Sequence, residues 1–152
     1  MEEIKIEMTI QPDSEGYVTF ECPYCESQFK LSVDECQNDE DVYVDFCCPY
    51  CGLMGNRNNF YTKEVIGEIQ NRIYNLMTRT VNKELDKMSR QLKKSKFLSM
   101  KVNELKERAT NELADKDTIE ETFQCSLCGK HEKVIYCSGI AKVYCAYCGS
   151  DL

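Results

Sequence analysis

The sequence predicts an α+β chain: two small antiparallel β units, each pinned by cysteines, joined by a long helix or a helical hairpin. Three observations carry this. All eleven cysteines fall within residues 22–51 and 125–148. Short runs that alternate, or are rich in β-branched and aromatic residues, surround them. The stretch between has no cysteine, and its apolar residues recur at steps of three and four. The divisions are residues 1–56, 57–117 and 118–152.

In the first unit, residues 17–21, 29–33 and 42–46 read as strands, and the acidic run 34–41 as the loop between the last two. Cys22/Cys25 and Cys48/Cys51 are Cys-x-x-Cys pairs separated by 22 residues. Such a turn points two thiolates at one place. Two turns supply a tetrahedron of sulfurs, the geometry of structural Zn²⁺. In the last unit, Cys125/Cys128 and Cys145/Cys148 are separated by 16 residues. Residues 133–137 and 141–144 are strand-like there, with Ser138-Gly139 as the turn. The expectation is two Zn²⁺ per chain on eight ligands. Four thiolates close each site and leave no position for a catalytic water.

Cys36, Cys47 and Cys137 are left over. Cys36 and Cys137 read as small apolar or partly exposed thiols. Cys47 neighbours a ligand, but only Cys48 has the two-residue spacing to Cys51. His131, the sole histidine, reads as a surface loop residue.

These residues resemble the zinc-ribbon superfamily, whose knuckle is Cys-Pro-x-Cys-Gly. Cys48-Pro49-Tyr50-Cys51-Gly52 matches it fully, and Cys22-Pro23-Tyr24-Cys25-Glu26 keeps the proline but lacks the glycine. Cys125-Ser126-Leu127-Cys128-Gly129 and Cys145-Ala146-Tyr147-Cys148-Gly149 keep the glycine but lack the proline. The resemblance covers about residues 16–56 and 120–152, and it implies metal and fold rather than function. Cys-Pro-Tyr-Cys is also the redox motif of glutaredoxins. That fold needs a helix opening at the motif and a distant proline loop. Here Glu26 to Val33 alternates like a strand, and no proline follows Pro49.

The middle reads as helix. Thr62 is an N-cap, with Glu64 in the first turn and Tyr61 placed to staple onto Ile66. The apolar stripe runs Ile66, Ile69, Ile73, Leu76/Met77, Val81, Leu85, Met88 and Leu92. It falters at Lys93-Lys94-Ser95-Lys96 and resumes at Leu98, Val102, Leu105, Ala109 and Leu113. Either one helix spans about 63–115 or two meet near 94–98. The stripe asks for a second helix, from its own C-terminal half or from another chain in a coiled-coil-like assembly.

Charge is unevenly spread around a net of -7. Residues 1–56 hold 13 acids against 2 bases, and residues 57–101 hold 11 bases against 4 acids. Lys83, Lys87, Arg90 and Lys94 fall on one helical face. That face suits phosphates or an acidic protein surface, or is simply solvated. No apolar run is long enough to span a membrane, and the N-terminus lacks a signal peptide's basic start and apolar middle. An odd number of cysteines without an export signal points to reduced thiols in the cytoplasm. One histidine and no glycine-rich phosphate loop give little footing for catalysis or a small-molecule substrate. The expectation is a non-enzymatic zinc adaptor or accessory subunit. It docks proteins, or itself, through ribbons and helix. A nucleic-acid binder using the basic face is the alternative.

Overall fold

Alternation along residues 17–21 and 28–32 sends Phe20, Phe29 and Leu31 to one face, where all three are buried. The computed structural model describes residues 6–37, 45–95, 101–135 and 142–152. Within these, Ile10–Gln11 (β1) precedes the hairpin of Tyr17–Glu21 (β2) and Gln28–Ser32 (β3), and a one-turn helix, Val33–Gln37 (α1), follows it. The hairpin Asp45–Cys47 (β4) and Met54–Asn56 (β5) leads through a 3₁₀ turn, Arg57–Phe60, into the helix Lys63–Leu92 (α2). Leu113–Ala114 (β6), Glu121–Gln124 (β7) and His131–Val134 (β8) complete the order.

The chain divides into two compact units. One comprises Thr9–Val65 and Glu112–Leu152; the other comprises Ile66–Asn111 and the N-terminal residues up to Met8.

In the first unit the main sheet runs β2-β3-β8-β7, antiparallel throughout, so both cysteine segments contribute to one sheet. β1 pairs with β6 in parallel, and β4 with β5 antiparallel. Either segment alone has few large apolar residues. Pooled, they bury Phe29, Leu31, Phe46, Phe60 and Val134 completely or nearly so. Phe46 is the hub. Its ring meets Phe20, Phe60 and Tyr147 edge-on, with centroids 5.4, 6.0 and 5.9 Å away.

The opposite face of the sheet is polar and covered. Lys30 is buried there and donates to Asp13 Oδ2 at 2.8 Å and to the Lys116 carbonyl at 2.6 Å. Lys133, beside it, is paired with Glu15 and lies over the Tyr17 ring.

Several expectations change here. The segment read as loop from residue 34 begins as helix α1. Strands β7 and β8 flank Cys125 and Cys128, so the strand expected at 133–137 lies earlier, and His131 sits in it rather than in a loop. Residues 38–44 and 136–141, with part of three expected strands, the Ser138-Gly139 turn and Cys137, lie outside the described residues.

The second unit is built on α2. Thr62 caps the helix, its Oγ1 accepting from Val65 N at 3.3 Å. The helix ends at Leu92, in a turn where Lys94 N donates to the Gln91 carbonyl. Residues 101–112 have no regular secondary structure, so neither the long helix to 115 nor the helical hairpin forms. This strap is held by bonds to its backbone, and by the Arg79–Glu107 pair at 2.8 Å. The Asn82 amide bonds both N–H and C=O of Leu105, and Asn75 does the same for Arg108. Glu68 Oε2 accepts from Asn111 N at 3.1 Å. Seven helical residues rise about 10.5 Å and three extended ones about 10 Å. Anchors at 68, 75 and 82 therefore keep step with partners at 111, 108 and 105.

The helix's buried face is consequently polar: Glu68, Asn75 and Thr78. The apolar stripe lies on the other side. Ile73 is 41% exposed, Met77 63% and Met88 51%. Among the described residues no helix is long and apolar enough to cross a membrane.

Candidate metal centres

All four Cys-x-x-Cys pairs build the same turn. The amide of the first cysteine donates to the carbonyl five residues on, as Cys22 to Ser27, Cys48 to Leu53, Cys125 to Lys130 and Cys145 to Ser150. The amide four residues on donates back to that cysteine's carbonyl, from Glu26, Gly52, Gly129 and Gly149. Closing the turn forces this fourth residue to positive φ: 59° at Glu26, 72° at Gly52 and 73° at both Gly129 and Gly149. That requirement is why three of the four are glycine. Amides also point at sulfur, as Tyr24 N to Cys22 Sγ and Tyr50 N to Cys48 Sγ, both at 3.4 Å.

The turns converge in pairs. Cys22, Cys25, Cys48 and Cys51 form one group and Cys125, Cys128, Cys145 and Cys148 the other, the sulfurs of each lying within 4.8 Å of one another. Between turns, Sγ–Sγ distances are 3.8 Å for Cys22–Cys51 and 3.6 Å for Cys25–Cys48, Cys125–Cys148 and Cys128–Cys145. These are far longer than a disulfide's roughly 2.05 Å. They suit a tetrahedron of sulfurs about 2.3 Å from a central ion, whose edges are about 3.8 Å. Each group can hold a metal ion.

The electrostatics agree with that reading. Burial pushes the Cys48 and Cys145 thiols well up. Burial also raises Cys25 and Cys125, but hydrogen bonds win. Those from Ser27 bring Cys25 down to about 7, and those from Cys128 N–H and the Ser150 hydroxyl bring Cys125 to about 6. A cation bound among the sulfurs favours the thiolate at all four.

Among the described residues, the other two cysteines stay out of both groups. Cys47 is buried, its amide donating to the Ala146 carbonyl at 2.8 Å. Cys36 is half-buried, with Sγ 3.3 Å from the Tyr147 hydroxyl. His131 is no ligand: its Nδ1 lies 2.7 Å from Glu35 Oε1 and its amide donates to Glu35 Oε2. Lys83, Lys87, Arg90 and Lys94 are all exposed. Lys87 already pairs with Glu84 at 2.6 Å, and Lys94 falls beyond the end of α2.

Two residues around the sites carry roles that composition does not reveal. The Tyr50 hydroxyl donates to the Gln28 carbonyl and accepts from Ile135 N, tying the first knuckle pair to the strand end of the second segment. Glu132 is fully buried in an otherwise apolar row, its Oε2 accepting from Ala146 N at 2.6 Å. The repeated Thr-Phe-x-Cys at 19–22 and 122–125 was the available sign that the segments are related.

No protein-family model, curated protein or solved structure matches this chain.

Proposed function

We propose that this chain is a non-enzymatic, cytoplasmic adaptor that carries two structural Zn²⁺ ions and assembles with protein through helix α2. The observation that carries the reading is the apolar stripe of α2. Ile66, Ile73, Met77, Val81 and Met88 stand exposed on one side, while the strap occupies the polar side. An apolar strip of that length, with helical spacing, is the surface a second helix covers. Zinc is the preferred ion because a closed tetrathiolate of this spacing suits a redox-inert, tetrahedral cation. Its role is to hold small β units together, since four thiolates leave no position for substrate.

Sedimentation and native mass of the zinc-loaded chain test this. The expected result is two zinc ions per chain and an assembly, of copies or with a co-purifying protein, that Ile73→Asp dissolves with zinc and helix content unchanged. A parent that is monomeric and partner-free overturns the adaptor reading. Iron, or fewer than two zinc ions, overturns the metal assignment.

A second reading rests on the exposed Lys83, Arg90 and Lys94. Nucleic-acid binding through this strip requires affinity to fall with salt at a log–log slope of about -0.9 per phosphate neutralised. Its loss in Arg90→Glu/Lys94→Glu would favour that reading. Absence of binding at low salt removes it.

A further inference from the structure

The two cysteine segments are copies of one unit, related by a two-fold axis inside a single chain. Cys125 follows Cys22 by 103 positions. The same shift carries the β2–β3 hairpin onto β7–β8 pair for pair. Val18–Leu31, Thr19–Lys30, Phe20–Phe29 and Glu21–Gln28 become Glu121–Val134, Thr122–Lys133, Phe123–Glu132 and Gln124–His131. The β3–β8 contact obeys the operation too. Lys30 faces Lys133, its own image, and the flanking pairs Phe29–Val134 and Leu31–Glu132 exchange.

The second knuckles follow with a shift of 97 positions, from Cys48 to Cys145. Cys47 N donates to the Ala146 carbonyl at 2.8 Å, and the image bond, Tyr144 N to the Pro49 carbonyl, is present at 2.9 Å. The pairing of Cys47 with Met54 has its image in that of Tyr144 with Asp151. The glycines of these second knuckles also face the other copy. A Cβ on Gly52 would crowd the Tyr144 ring at 3.1 Å, and one on Gly149 would stand in ordinary contact, 3.6 Å from Cys47 Sγ.

The contact therefore runs through the segments that carry the ligands. Cys48 lies between two residues bonded to the other copy, Cys47 and Pro49, and Cys145 lies between Tyr144 and Ala146. A segment that is disordered without metal cannot offer its neighbour these bonds. Ordering one site by metal therefore lowers the ordering cost of the other.

We infer that the two tetrathiolate sites load as one cooperative unit, each completing the wall of the other's metal site. This rests on the zinc reading above and adds to it a positive coupling between sites. Coupling of this kind is reciprocal.

Titration of metal-free, reduced full-length chain with Zn²⁺, read by native mass spectrometry, tests it. Independent equal sites put about half of the chains in the one-zinc state at half-loading. A coupling of about 100-fold holds that state to about a tenth. The expected result is the tenth, with zero- and two-zinc species dominating. A one-zinc population near half overturns the inference while leaving zinc binding intact. Failure to take up zinc overturns the metal reading itself, and the inference with it. The cross-site variant is Tyr144→Ala, which is not a ligand of either group. In the titration of the chain with both sites intact it should raise the one-zinc population at half-loading from about a tenth toward half, whereas in the chain whose second site is disabled by Cys125→Ser/Cys128→Ser it should leave the zinc affinity of the Cys22–Cys51 group unchanged. A one-zinc population still near a tenth in Tyr144→Ala counts against the contact as the carrier.

Discussion

Glu26 stands where the other three turns have glycine, and it takes φ 59° to do so. An L-residue in that region is strained by about 1–2 kcal/mol, against which glycine loses somewhat more chain entropy on folding. Its ion pair with Lys63 is exposed on both sides and adds little. Glu26→Gly should therefore stabilise the zinc-loaded protein by a few tenths to about 1 kcal/mol, seen as a higher urea midpoint. The reverse changes separate two effects. Gly129→Ala meets open space and should cost about 1 kcal/mol through φ alone, whereas Gly52→Ala also strikes the Tyr144 ring at 3.1 Å and should cost about 1 kcal/mol or more beyond that. Equal losses at the two positions would show that the Tyr144 contact adds nothing.

Glu132 shows the same logic for a polar group. Its image under the two-fold is Phe29, and the image of Ala146 is Pro49, which has no amide proton. Where alanine replaces proline, a buried N–H appears and Glu132 Oε2 accepts it. Its Oε1 has no partner among the described residues, and burial raises the carboxyl from 4.5 to about 7. A carboxyl raised on folding stabilises below its unfolded pKa, and that contribution is lost as pH rises toward the folded value. Wild-type stability should thus fall between roughly pH 4.5 and 7 by about 1.4 kcal/mol per unit from this group. Glu132→Gln removes that slope, so its stability relative to wild type should improve steadily from pH 5.5 to 7 in zinc-loaded protein. A pH-independent difference would show that Glu132 does not titrate there.

At the scale of elements, the strap on α2 is held by polar bonds to its backbone, and its side chains from residue 103 to 112 are exposed. Such a segment lacks apolar burial to hold it closed, so it opens at small free energy. Asn75→Ala removes both bonds to Arg108. Each is worth about 0.5–1.5 kcal/mol, so hydrogen exchange at the Arg108 amide should accelerate at least about 5-fold, with amides of the β3–β8 pairing unchanged. Protection of Arg108 equal to wild type would mean that something other than Asn75 holds the strap. The strap also explains why the apolar stripe faces outward. Backbone outside regular secondary structure demands hydrogen-bonding partners, and the helix meets that demand with its amide-bearing side.

At the scale of the molecule, one aromatic core around Phe46 and two sulfur groups hold the β-rich unit. That core is modest for two joined cysteine-bearing segments. Removal of metal by a chelator under reducing conditions should therefore unfold this unit as a whole, with loss of near-ultraviolet signal from the Phe46 cluster and of both tetrathiolate groups together. A chelated protein that kept this signal would show the core to be self-sufficient.

Residue order alone dictates the local chemistry: eight cysteines in four turns, the strand at residues 17–21 and the start of α2 behind Thr62. These follow from spacing and side-chain type within a few residues, where one local geometry dominates. Pairing between distant segments is another matter. Residues 101–112 have helical spacing of apolar residues, yet they form no regular secondary structure, because Asn75, Asn82 and Glu68 offer their backbone better satisfaction than a second helix would. Likewise nothing local told that β3 would lie beside β8. That contact depends on complementarity between segments 103 positions apart. Such segments meet only in the folded chain, because each hairpin's apolar face is too small to be buried without the other.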